Sequence, residues 1–145
     1  LYLTADALEK LNIERFERYE VIREKEQRAE AFMLDDAEIV VVAFGASSRV
    51  ARSAVVAARE EGIKVGLLRP ITLWPFPTKA IEDALSHAKV FLSVEMNMGQ
   101  MIGDVELAIR CKRPVYLCNR TGGMIPTPEE VLAKIEEADK NGGVN

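Results

Sequence analysis

Histidine and cysteine are scarce in this sequence, and their scarcity disfavours several kinds of active site. The only histidine, His87, lies in no recognisable motif, so neither a Ser–His–Asp hydrolase site nor a histidine metal site is expected. The two cysteines, Cys111 and Cys118, are too few for an iron–sulfur cluster, which normally takes four thiolates, and they lack CxxC spacing. We therefore expect two ordinary thiols, no metal site and no catalytic residue on this chain.

Long hydrophobic runs and an excess of basic charge are also missing. No segment approaches the ~20 apolar residues that span a bilayer, and the N-terminus shows no basic stretch before an apolar signal core. The formal net charge is −4, which disfavours nucleic acid as a partner, because that binding depends on clustered Lys and Arg. We expect a cytoplasmic protein that binds neither membrane nor nucleic acid.

The residues that are present suit one globular domain preceded by a charged segment. The chain has 145 residues, of which 48% are hydrophobic, enough for a single core. Residues 5–34 are rich in Glu, Arg and Lys, which predicts a solvated helix. Since the chain begins with leucine, we expect a piece of a longer polypeptide, with a helical linker from an upstream domain over 1–35 and an α/β domain over 36–145.

Short apolar runs alternate with helical stretches beyond this segment. Strands are predicted at 38–44, 64–69, 89–95 and 114–119. Helices are predicted at 49–62, 78–88, 99–111 and 127–138, the first capped by Ser47 or Ser48 and ended by Gly62, the last opened by a capping box of Thr127 and Glu130. This alternation predicts an α/β fold, a three-layer, open and mainly parallel sheet with helices on both faces.

Ligands of such sheets bind beyond the carboxyl ends of the strands, and two predicted loops there carry groups that suit an anion. Ser47, Ser48 and Arg49 stand at the start of a helix, where a helix cap and an anion site are both consistent with the pattern. Arg120 follows the last strand, and it suits either a phosphate or carboxylate ligand or a solvated or interface position.

The loop after the third predicted strand is the most unusual segment. It reads EMNMGQM and contains Glu95, Asn97, Gly99 and Gln100. Two interpretations stay open for it. In one, the polar side chains hold loops in place while methionines 96, 98 and 101 fill a core or an interface; in the other, the polar side chains contact a ligand or a partner.

Four strings of the sequence resemble, in order and spacing, the C-terminal domain of the alpha subunit of 2-oxoacid:ferredoxin oxidoreductases, especially the 2-oxoisovalerate and 2-oxoglutarate types. They are AFMLDDAEIVVVAFGASSRVARSAV, GLLRPITLWPFP, VEMNMGQM and NRTGGMIPTPEEVL. The resemblance covers about residues 15–139. It implies a transketolase C-terminal-like fold with a structural and interaction role, and no catalysis by this chain alone.

The resemblance also implies a parent enzyme that decarboxylates a 2-oxoacid oxidatively to acyl-CoA and reduces ferredoxin. Its cofactors would be thiamine diphosphate, magnesium, iron–sulfur clusters and coenzyme A, none of them held by this chain. The implied partners are the upstream pyrimidine-binding domain of the same subunit, the beta subunit, gamma and delta subunits, and ferredoxin. A domain built to be covered by neighbours also favours self-association as a homodimer when isolated.

For individual residues, the resemblance implies two groups of contacts. Glu95, Asn97, Gly99 and Gln100 would order a crevice that faces neighbouring domains, and Arg69, Trp74 and Phe76 would lie in a proline-stiffened loop between domains. Ser47, Ser48, Arg49 and Arg120 are candidate contacts of an anion or coenzyme A. The alternatives are the C-terminal domain of another transketolase-like thiamine enzyme, or a free-standing nucleotide-binding module, which the missing glycine fingerprint disfavours.

Overall fold

Two apolar runs of the sequence become the buried central strands of a five-stranded sheet. The structure is a computed structural model that describes residues 2–142. In chain order its elements are α1 (Ala5–Lys25), β1 (Ala29–Phe32), β2 (Ile39–Ala43), α2 (Gly45–Glu60), β3 (Val65–Pro70), α3 (Thr78–Ala84), β4 (Val90–Glu95), α4 (Met101–Ala108), β5 (Val115–Asn119) and α5 (Pro128–Gly142). Every residue of β2 and β4 is buried, because helices cover both faces of these strands.

The strand order is β1-β3-β2-β4-β5, and every neighbouring pair is parallel except β1 with β3. One core cluster joins the sheet to α2 and α5, and a second joins its other face to α3 and α4. The predicted three-layer, mainly parallel α/β fold is therefore confirmed. The order reverses between β2 and β4, so the loops that follow these two strands open a crevice at the carboxyl edge of the sheet.

The predicted helix over 5–34 is wrong in its last part. α1 ends at Lys25, and Ala29–Phe32 forms an edge strand in which Glu30 lies opposite Arg69 of β3. The exposed edge of β3 offers backbone donors and acceptors to this segment, and that partner outweighs the weak helical pattern. The sheet therefore includes residues that the sequence placed in a helical linker, while the boundary between linker and domain stays a prediction.

The predicted cap of α2 is also wrong. The helix begins at Gly45 after Phe44, and no side chain caps it. Gly45 has φ +57, which lets the chain turn from strand into helix within one residue, ahead of the serines. Ser47 and Ser48 are buried in the first turn, and the Ser48 hydroxyl donates a hydrogen bond to the Gly45 carbonyl oxygen at 2.7 Å.

The predicted end of α2 at Gly62 and the predicted start of α5 are confirmed, whereas α5 continues to Gly142, beyond its predicted end at residue 138. Gly62 follows α2 with φ +87, and its N–H donates to the carbonyl oxygen of Arg59, as in a Schellman motif. At the start of α5, the backbone N–H of Thr127 donates to Glu130 Oε2 at 3.0 Å, and the backbone N–H of Glu130 donates to the Thr127 hydroxyl at 3.3 Å. These reciprocal bonds form the predicted capping box.

Candidate functional site

Glu95 ends β4 as a completely buried carboxylate beneath the first turn of α4. Its Oε2 atom accepts hydrogen bonds from the backbone N–H groups of Gln100 and Met101, at 2.9 and 2.8 Å. Its Oε1 atom accepts from the backbone N–H of Ile102 at 2.9 Å and from the Ser93 hydroxyl at 2.8 Å. The first N–H groups of a helix have no partner inside it, and Glu95 supplies one for α4.

The Glu95 carboxyl is held in its charged form by these bonds. Burial raises its pKa, but the bonds from Met101, Ser93, Gln100 and Ile102 outweigh burial and hold the pKa below the ordinary value of 4.5. A carboxylate has about four lone-pair sites, and this chain fills all of them. Glu95 is therefore a structural anchor for the loop and for α4, with no acceptor left for a ligand.

Asn97 and Asn119 hold the same loop from its outer side. Asn97 Oδ1 accepts hydrogen bonds from the backbone N–H groups of Gly99 and Gln100, at 2.7 and 3.0 Å. Asn119 Nδ2, at the end of β5, donates to the Asn97 carbonyl oxygen at 2.7 Å. Gly99 has φ +95, and a Cβ there would lie 3.1 Å from Leu117 Cδ2. These hydrogen bonds agree with the interpretation in which polar groups hold the loop in place, and a contact of the loop with a ligand or a partner stays a prediction.

The methionines of the loop divide between the core and the surface. Met101 is buried in the core cluster that contains α3 and α4. Met96 and Met98 are 39% and 77% exposed, and the next loop exposes Met124 and Ile125. Two loops that follow neighbouring strands thus present apolar side chains at the carboxyl edge of the sheet.

The proline-rich loop separates the three residues predicted in it. Phe76 is half-buried against the core, whereas Trp74 is 53% exposed and meets the Tyr19 ring of α1 edge-on, with ring centroids 5.3 Å apart. Arg69 lies at the edge of the sheet, where its Nη1 donates to Glu30 Oε2 at 3.0 Å. Only Trp74 thus presents an aromatic ring for a further contact.

α1 extends this exposed aromatic contact into a larger surface. The helix has no buried residue, so the core contributes little to its stability. Its Phe16 ring lies 5.7 Å from that of Tyr19, and Phe16, Leu73 and Trp74 are each about half exposed. We call Phe16, Tyr19, Leu73 and Trp74 the α1–loop surface.

The four predicted anion contacts are not all brought together. Ser48 and Arg49 line one cavity between α2, β1 and β3, whereas Arg120 is not among its lining residues. Arg120 instead forms a two-bond ion pair with Glu130, whose Oε2 atom lies 3.2 Å from Arg120 Nε. The predicted contact of these residues with coenzyme A stays a prediction.

The structure locates the possible metal ligands and the two cysteines of residues 2–142. No three metal-binding side chains from His, Cys, Asp or Glu come together in this part of the chain. Cys111 is exposed and Cys118 is buried, both as free thiols. His87 Nδ1 lies 2.7 Å from the carbonyl oxygen of Ala37, a structural contact. Within the same range, none of the helices combines the length and hydropathy needed to cross a bilayer.

Solved structures with the same architecture define the class of fold. One is 2-oxoglutarate:ferredoxin oxidoreductase from Magnetococcus marinus with 2-oxoglutarate, coenzyme A and succinyl-CoA bound, with a TM-score of 0.76 and 21% identity over 95% of this chain and 24% of that chain. Another is a split-gene transketolase, an inactive β4 tetramer, with a TM-score of 0.67 and 17% identity over 78% of this chain and 41% of that chain. The predicted transketolase-like fold is confirmed.

Sequence comparison then identifies the family. Residues 37–131 match the model of pyruvate:ferredoxin oxidoreductase core domain II, and the chain belongs to this family. Ketoisovalerate oxidoreductase subunit VorB of Methanothermobacter thermautotrophicus is 52% identical over 137 residues, which cover 94% of this chain and 39% of that protein. The resemblance to 2-oxoacid:ferredoxin oxidoreductases is confirmed, and the chain spans well under half of this relative's length.

Proposed function

We propose that this chain is a structural and interaction domain in the alpha subunit of a 2-oxoacid:ferredoxin oxidoreductase. The observation that carries this proposal is the α1–loop surface, where Trp74 is 53% exposed beside a helix with no buried residue. Exposed aromatic side chains on stiff loops are common anchors of protein interfaces. The upstream pyrimidine-binding domain of the same subunit and the beta subunit are the proposed occupants of this surface.

The proposed parent enzyme decarboxylates a 2-oxoacid oxidatively to acyl-CoA and reduces ferredoxin in the cytoplasm. The names of its relatives support 2-oxoisovalerate or 2-oxoglutarate as substrates, and coenzyme A bound in the Magnetococcus structure supports that cofactor. Thiamine diphosphate, magnesium and the iron–sulfur clusters would be held by other parts of the assembly, as the resemblance to the family implies. This chain would supply no catalytic group.

Glu95 has an indirect part in a second proposed contact, which lies at the carboxyl edge of the sheet and outside the α1–loop surface. It fills its acceptor sites with bonds from its own chain and thereby fixes the loop that exposes Met96 and Met98. Methionine side chains adapt to the shape of a partner, so a rigid backbone that presents them suits a contact with neighbouring domains. The carboxylate thus positions the contact residues and does not meet the partner itself.

A Trp74→Ala variant of the complete oxidoreductase tests the proposal. Loss of an aromatic anchor is expected to weaken subunit association by about tenfold or more, measured by sedimentation of the assembled enzyme over a dilution series. Leu107→Ala is the matched control, because Leu107 is an apolar residue of α4, 76% exposed, outside the α1–loop surface. Equal association of both variants and the unchanged enzyme, with equal turnover, would contradict the proposal.

A further inference from the structure

A small cavity beside the first turns of α2 has a composition that the proposed assembly role does not explain. Its volume is about 130 Å³. It lies between α2, β1 and β3 and is lined by Glu30, Phe32, Ser48, Arg49, Arg52, Leu67 and Arg69. Arg69 stands near the carboxyl end of β3, the edge at which open α/β sheets bind their ligands.

We propose that this cavity binds a phosphoryl group through the guanidinium groups of Arg49, Arg52 and Arg69. The three arginines face a single carboxylate, Glu30, so the cavity carries a net positive charge in a chain whose overall formal charge is −4. A positive cavity of this kind attracts small anions from solution.

The guanidinium groups keep most of their hydrogen-bond donors free. Each carries five N–H donors, and within residues 2–142 the three together donate one hydrogen bond, from Arg69 Nη1 to Glu30 Oε2 at 3.0 Å. Arg52 Nη1 lies 3.7 Å from Glu30 Oε1, an ion pair beyond hydrogen-bond distance. Arg49 has no hydrogen bond or ion pair from its side chain in that part of the molecule, so its donors are available to a ligand.

Two of the three arginines are held in place before a ligand arrives. The guanidinium carbon of Arg52 lies 3.8 Å from the centroid of the Phe32 ring, a cation–π contact that restrains the guanidinium plane. Arg69 is restrained by its bond to Glu30, its neighbour across the β1–β3 pair. Such restraint lowers the entropy that binding would otherwise cost.

The donor arrangement favours phosphate chemistry. Guanidinium groups form two-point hydrogen bonds with phosphate and carboxylate oxygens. A phosphoryl group has three terminal oxygens, one for each arginine. It also carries close to two negative charges, which match the excess of two positive charges that the three arginines have over Glu30. The positive end of the 16-residue helix α2 adds to the attraction. Inorganic phosphate and a phosphate monoester share this chemistry.

Calorimetric titration of the full chain at low ionic strength tests the proposal, with inorganic phosphate, adenosine 3′,5′-bisphosphate and succinate as probes. We expect both phosphates to bind, and Arg49→Gln and Arg52→Gln to weaken binding by about tenfold or more. Arg18→Gln, an exposed arginine of α1 outside the cavity, is the control and should bind as the unchanged chain does. Tighter binding of the bisphosphate would identify a nucleotide as the source of the phosphoryl group, and equal binding would identify free phosphate.

Three outcomes would overturn the assignment. The first is an absence of binding heat with both phosphates. The second is an equal loss of affinity in Arg18→Gln, which would mean attraction by overall charge. The third is binding of succinate as tight as that of phosphate with the same dependence on Arg49, which would assign the cavity to a carboxylate, such as an acidic side chain of a partner. Because the Arg49 side chain is exposed and unpaired within residues 2–142, its replacement should leave folding intact, as circular dichroism can check.

Discussion

Replacement of Glu95 by glutamine is expected to destabilise the chain by about 2–4 kcal/mol. The glutamine amide has nearly the same size as the carboxylate. Each Glu95 oxygen accepts two hydrogen bonds, however, and the amide nitrogen that replaces one of these oxygens is a donor that cannot accept them. If the amide nitrogen replaces Oε1, the Ile102 N–H loses its acceptor and meets another donor. A hydrogen bond to a charged group contributes about 1.5–3 kcal/mol, and a buried donor without a partner costs about 1–3 kcal/mol.

Thermal unfolding and urea unfolding, both followed by circular dichroism, measure this effect. For a chain of this length the unfolding temperature falls by about 3 °C per kcal/mol, so the thermal midpoint should drop by about 6–12 °C. The denaturant slope should stay unchanged, since the same surface is exposed on unfolding. Glu106→Gln is the control, because Glu106 is an exposed residue of the same helix. A Glu95→Gln variant within about 0.5 kcal/mol of the unchanged chain would refute the anchoring role.

Acid should remove the same contribution. The folded-state pKa of Glu95 lies below the ordinary value of 4.5, so its stabilisation is present above that value and is lost as the pH falls through the folded-state pKa. The glutamine variant has no such titration. The difference in unfolding free energy between the two chains should therefore be largest near neutral pH and smaller at pH values below 4.5. A difference that does not change with pH would contradict the assignment of charge to Glu95.

Two further substitutions, each with a control, test the fold outside the loop that Glu95 anchors. Gly66→Ala should destabilise the chain by about 2 kcal/mol or more, because the added Cβ would lie 2.4 Å from the Met33 carbonyl oxygen. Gly103→Ala is the control: its Cβ would meet no atom within 4 Å, so the change should be neutral or stabilising by up to about 1 kcal/mol. Equal stabilities of the two variants in urea unfolding would contradict the close contact at Gly66. Thr127→Ala should cost about 1 kcal/mol through loss of the capping box, and Thr121→Ala, in the preceding exposed loop, should cost little in the same assay.

The elements predicted correctly are those with local signals. β2 and β4 are runs of buried apolar residues, and the capping box of α5 lies within four consecutive residues. The edge strand β1 was missed because its pairing is non-local, with Glu30 opposite Arg69 across 39 positions of sequence. The start of α2 was misplaced because the positive φ of Gly45 depends on how β2 leaves the sheet.

The sequence indicates which segment forms the candidate site, but it does not show how Glu95 is placed there. Glu95 was expected to order a crevice, but its burial under α4 was not foreseen. The sequence does contain a signal for this burial. Ser93 and Glu95 are two positions apart, so they lie on the same face of a strand that is otherwise apolar. The complete lining of the proposed phosphate cavity could not be predicted from the sequence, because Phe32, Arg52 and Arg69 come from three separate elements that only the folded sheet brings together.

The proposed assembly role is tested most directly by a photoreactive phenylalanine analogue placed at position 74 in the complete oxidoreductase, followed by irradiation and mass spectrometry. The side chain of Trp74 already contacts Tyr19 within this chain, so a crosslink to that residue is the internal reference. We expect additional crosslinks to a domain or subunit outside the 145 residues, and we expect these to be absent when the analogue stands at position 107. Crosslinks confined to this chain would contradict the proposed assembly role.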